Sequence, residues 1–120
     1  MPFDSVNVES ELTTALRTAF ALIDTYDRWC CHTSKRKTKD GMQFCSIGAI
    51  NEVVPYMGSR SLNVSVVQAL YREIPRAQIN WDTPRNAVMD YNDSIDFEEM
   101  TKWWARTIER SVERDALAMR

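Results

Sequence analysis

The sequence predicts a mainly α-helical single domain of four to five helices, with room for a short β-hairpin around residues 29–45. Three observations lead there. Apolar residues recur at spacings of three and four along several segments, the mark of a helix with one buried face. Capping residues stand in front of those segments: Ser10, Thr83-Pro84 and Asp96. Glycine numbers only 3 and proline 4 in 120 residues, too few for an architecture built on many tight β-turns. The length suits one domain over residues 1–120.

The first helix is expected over residues 9–27, with Ser10 as its cap. Its stripe is Leu12, Ala15, Leu16, Ala19, Phe20, Leu22, Ile23 and Tyr26. Residues 33–41 read as a polar loop closed by Asp40-Gly41. A hairpin across that loop would set residues 29–32 opposite 42–45. The second helix covers residues 44–54, with Phe44, Ile47, Ile50, Val53 and Val54 on one face. Gly48 costs a helix about 1 kcal/mol against Ala, so another helix or a Trp is expected to pack closely there. The third helix, over residues 61–73, buries Val64, Val67, Leu70, Tyr71 and Ile74 and stops at Pro75. Residues 77–81 read as a short extended piece.

A short fourth helix follows Thr83-Pro84 over residues 85–91, and Asn92-Asp93-Ser94 reads as a turn. Asp96 and Glu99 form a capping box for the last helix. Its inner side is Phe97, Met100, Trp104, Thr107, Ile108, Ser111 and Val112, and the chain is expected to fray after Asp115.

The Trp29-Cys30 step, the Cys45-Ser46-Ile47-Gly48-Ala49 helix and Tyr91-Asn92-Asp93 ahead of Phe97-Glu98-Glu99 resemble a family of small phage and bacterial proteins built on a domain of unknown function. Members carry Trp-Cys, Cys-x-x-Gly-Ala and Trp-Asn-Asp motifs. Tyr91 stands here where the family has Trp, and Arg28 where it has Gly before the Trp-Cys step. The resemblance implies a mostly helical fold and a phage or mobile-element setting. It brings no activity, substrate or cofactor with it.

Charge and cysteine content narrow the function classes. Lys plus Arg number 15 against 17 acids, a net charge of −2, which argues against a dedicated polyanion binder but leaves room for a local patch. There is no apolar run of about 18 residues, so no membrane partner is expected. The first eleven residues hold acids and no Lys or Arg, unlike a secretory signal, and three cysteines suit a reducing compartment; the expected location is the cytoplasm.

Cys30, Cys31, His32 and Cys45 are the most metal-like set, but adjacent side chains diverge and the spacing departs from that of closed zinc sites, so neither metal nor cofactor is expected. Cys31 beside His32 lacks an orienting third group, so a nucleophile is not expected either. In the plainer reading, Cys30 and Cys45 are small core residues. Two surfaces remain. Trp103 lies one position, about 100°, from Trp104 on the helix, which places it at the edge of the buried face. Together with Trp81 and Tyr91 it forms an aromatic patch for a protein partner. Lys35, Arg36, Lys37 and Lys39 form a basic loop suited to phosphates. The acidic stretch 82–99 offers such a loop a docking face in the same or a second copy, so a homodimer is among the expected assemblies. The leading expectation is a non-enzymatic protein-binding module of phage or mobile-element type. The alternative is a nucleic-acid-associated accessory protein using residues 35–39.

Overall fold

The structure, a computed structural model, describes residues 9–80 and 82–119. Five helices and one two-stranded ribbon pack as a single mainly α unit. The helices are α1 (Glu11–Phe20), α2 (Ser46–Val53), α3 (Arg60–Arg72), α4 (Pro84–Ser94) and α5 (Phe97–Ala118). The ribbon joins β1 (Lys35–Thr38) to β2 (Gly41–Phe44), and 3₁₀ turns occupy Tyr26–Arg28 and Arg76–Gln78.

Three expected caps hold. Ser10 Oγ accepts from Thr13 N–H, Thr83 Oγ1 from Asn86 N–H, and Asp96 Oδ1 from Glu99 N–H. A fourth is unusual: the Cys45 thiol accepts from Gly48 N–H at 3.3 Å and caps α2. α2 is buried along Ser46–Ile50 and packs against α1, α3 and α4.

α5 lies over α1 and α3. Its buried residues are Met100, Trp103, Trp104, Thr107 and Ser111, a three-four spacing that includes both tryptophans. The expected edge position of Trp103 is therefore corrected. The two indoles flank the line from Met100 to Thr107 and splay to either side. Trp104 stacks on Phe20 at 5.8 Å and donates to Ser46 Oγ, whereas Trp103 meets Tyr91 edge-on at 4.8 Å and donates to Leu70 C=O. The Leu70 carbonyl belongs to the last turn of α3 and also accepts from Glu73 N–H at 3.1 Å.

Other boundaries move for tertiary reasons. α1 ends at Phe20 rather than at residue 27, and Tyr26, expected inside, is 75% exposed. On α3 the buried line is Asn63, Val66, Val67, Ala69 and Leu70, and Val64 faces out. The buried Asn63 side chain donates to Asn51 Oδ1 and to Val54 C=O, closing the end of α2 onto α3. The expected extended piece over 77–81 begins later: Arg76–Gln78 form a 3₁₀ turn and Ile79 is extended, while Trp81 lies outside the described residues. α4 runs through Asn92-Asp93-Ser94, because the Asn92 and Asp93 side chains bond to distant residues instead of closing a local turn. α5 continues past Asp115 to Ala118, with Val112 exposed. Asp115 accepts hydrogen bonds from Thr13 Oγ1 and Ser10 N–H and so fastens the end of α5 to the start of α1.

Candidate nucleic-acid interface

The hairpin is real but shifted. β1 pairs antiparallel with β2, Lys35 opposite Phe44 and Thr38 opposite Gly41, leaving Lys39-Asp40 as a two-residue turn. Gly41 adopts φ +129°, a conformation that favours glycine, which is why the Asp-Gly signal closes the turn here. The expected pairing of residues 29–32 with 42–45 is corrected. A long loop would have left the backbone of 35–38 unpaired, whereas a tight turn satisfies it. Trp29 instead meets Phe44 in a parallel bridge, and Cys30 N–H donates to Phe44 C=O.

The ribbon is anchored at its base. Cys45 N–H donates to Ser34 C=O, and that carbonyl occupies the place where a Cβ on Gly48 would stand. The close neighbour that Gly48 permits is thus the Ser34 backbone, not a helix or an indole.

Asn92 holds the Trp29–Cys31 segment against α2 and α4. Its Oδ1 accepts from Trp29 Nε1 (2.8 Å), Ser46 N–H (3.1 Å) and Ser46 Oγ (2.7 Å), and its Nδ2 donates to Cys30 C=O (3.2 Å). Trp104 Nε1 donates to the same Ser46 hydroxyl, so one buried chain of hydrogen bonds runs from α5 through α2 and α4 to Trp29. The short motifs Trp29-Cys30, Cys45-Ser46 and Asn92-Asp93, far apart in sequence, converge on this amide. His32, at φ +67°, is held by its N–H to Asp93 Oδ1 at 2.8 Å, with its ring Nδ1 3.6 Å from the same carboxylate.

The cysteines serve the fold. Cys30 and Cys45 are buried and Cys31 is half-buried, and all three are free. Burial, reinforced by the neighbouring Cys45 thiol, pushes the Cys30 thiol up to about 11, and burial also raises Cys31 and Cys45. Thiols so shifted are protonated near neutrality and are poor nucleophiles. Among the described residues no group of three or more His, Cys, Asp or Glu side chains is disposed to hold a metal ion.

The two expected surfaces fare differently. Trp103 and Tyr91 are 0% and 2% exposed, so neither can meet a partner, and the aromatic patch built on them is corrected. The physical reason is that both rings fill the seam where α5 meets α3 and α4. Trp81 lies outside the described residues. In contrast Lys35, Arg36, Lys37 and Lys39 are all exposed on one projecting ribbon, and none of them has a carboxylate within 4.0 Å among the described residues. Two of the six acids expected to dock them are engaged elsewhere: Asp93 with His32, and Asp96 with the start of α5.

Strand alternation puts Lys35 and Lys37 on one face of the ribbon and Arg36 on the other. Arg36 and its cross-strand partner Gln43 face a depression of about 390 Å³, lined also by Tyr26, Asp27, Trp29, Cys30 and Cys31. Gln43 Nε2 donates to Asp27 C=O at 3.1 Å, which ties the ribbon to the Tyr26–Arg28 turn. Periodicity places Tyr26 in the buried stripe of the first helix, so its spacing does not mark it as a surface residue.

No family model, curated protein or solved structure matches this chain.

Proposed function

We propose that the protein is a non-enzymatic accessory protein that binds the phosphate backbone of nucleic acid through the β1–β2 ribbon. One observation carries this reading: four exposed cations within five residues project on a two-stranded ribbon without an ion-pair partner among the described residues. Cations kept out of intramolecular pairs remain available to displace the counterions of a phosphate chain. Clustering four of the fifteen Lys and Arg on one projection also reconciles a net charge of −2 with polyanion binding. The burial of Trp103 and Tyr91 supports this reading over a partner surface built on those two rings. The reading includes a reducing, cytoplasmic setting, favoured by three unpaired cysteines. No described helix is long and apolar enough to cross a membrane. A phage or mobile-element context rests on the resemblance alone.

The test is binding of the full chain to labelled duplex DNA over a range of salt. If all four cations contact phosphates, log affinity against log salt is expected to fall with a slope of about −3 to −4. Replacing Lys35, Arg36, Lys37 and Lys39 together by Ala is expected to abolish binding while leaving the helical circular dichroism intact. Absence of binding at low salt both to this duplex and to a single strand of the same length, or unchanged affinity and slope in the fourfold variant, overturns the reading.

A further inference from the structure

We infer that the depression beside the ribbon accepts an unstacked nucleobase, so that the preferred ligand is single-stranded rather than duplex nucleic acid. This deepens the proposed function and rests on it. The argument starts from Tyr26, the most exposed aromatic ring of the described residues at 75% exposure. Its ring meets Phe97 edge-on at 5.8 Å, and Phe97 in turn lies 6.1 Å from the buried Trp29. An exposed ring braced in this way keeps a fixed orientation and loses little freedom when a flat ligand stacks on it.

The ring borders the same depression as Arg36, the one ribbon cation that points away from Lys35 and Lys37. The remaining polar lining suits a base edge. Asp27 supplies acceptors, and Gln43, whose amide N–H₂ is engaged with the Asp27 backbone, keeps its carbonyl oxygen for a donor. Aromatic stacking beside a tracked phosphate backbone is how single strands are bound without sequence preference. A base within a duplex presents only its edges and cannot offer its face to Tyr26. The ribbon strands are four residues each, so duplex contact through the groove is confined to a short tip.

The experiment compares a labelled single-stranded oligonucleotide with a duplex of the same length, using the full chain and fluorescence anisotropy. Wild type is expected to bind the single strand more tightly. Tyr26→Ala is expected to weaken single-strand binding about tenfold, as loss of one stacked base would, and to leave duplex binding unchanged. Tyr26→Phe, which keeps the stacking face, is expected to retain wild-type affinity. Equal affinity for both probes, or no effect of Tyr26→Ala, while the fourfold ribbon variant still loses both, overturns this inference and leaves the phosphate-binding reading standing. Failure of wild type to bind either probe, or full binding by the ribbon variant, overturns both. Because Tyr26 is outside the core, circular dichroism is expected to be unchanged in both Tyr26 variants.

Discussion

Removing the Asn92 side chain strands four groups at once: the Trp29 indole N–H, the Ser46 amide and hydroxyl, and the Cys30 carbonyl. Asn92 itself is 0% exposed, and Ser46 likewise, so water does not replace the lost partner. A buried polar group left without a partner costs about 1–3 kcal/mol. Asn92→Ala is therefore expected to lower stability by about 3–5 kcal/mol, among the largest effects of a polar-to-alanine change, read as a shift in the urea midpoint. Its neighbours illustrate the same economy of small parts. Gly48 admits the Ser34 carbonyl because it has no Cβ, and Cys45 caps α2 with a thiol where Ser or Asp would be usual.

At the scale of elements, the two ends of the helical array are clasped by polar contacts. Asp115 on α5 accepts from Ser10 and Thr13 at the start of α1, and Thr13 and Ser111 hydroxyls bond to each other in the buried seam. Partial burial pushes the Asp115 carboxyl up, but the hydrogen bonds from Thr13 and Ser10 outweigh it and hold the group below its ordinary value. A folded value below the unfolded one means stability that is present above pH 3.8 and lost as pH falls further. Asp115→Asn is expected to flatten the acid limb of a stability–pH curve. At neutral pH the same change is expected to cost about 1 kcal/mol, a low figure because part of the carboxylate remains in water. The ribbon is the opposite kind of element. Among the described residues its hydrogen bonds to the body run through Cys45 and Ser34, Cys30 and Phe44, and Gln43 and Asp27, none of them from a Lys or Arg side chain, so its exposed cations can be exchanged without removing a core contact.

For the whole molecule, the basic cluster of residues 35–39 lies outside on the ribbon, while the Cys30 and Cys45 thiols are buried. The Cys30 thiol, raised to about 11 from 9.0, ionises in the unfolded chain before it does so in the folded one. Its contribution to stability is full below pH 9.0 and lost as pH rises towards 11. Denaturant midpoints are thus expected to fall between those pH values, and Cys30→Ala is expected to reduce the fall. Trp103, between α3, α4 and α5, belongs to this same interior. A change there acts on the fold itself and reports nothing about a binding surface.

Helix identity and start points were legible because they are local: spacing of Leu16 and Ala19, a Ser, Thr or Asp oxygen ahead of free amides, Pro84 at a first turn. The helical class and the basic cluster followed from the same short-range signals. That both adjacent tryptophans are buried was not legible, because the width of a buried face depends on how many helices press on it. Asn92 as a hub and Tyr26 as a surface ring were hidden for a related reason: each depends on partners tens of residues away. Periodicity and capping fix what a segment does alone; only packing decides where its polar groups find partners and which faces remain in water.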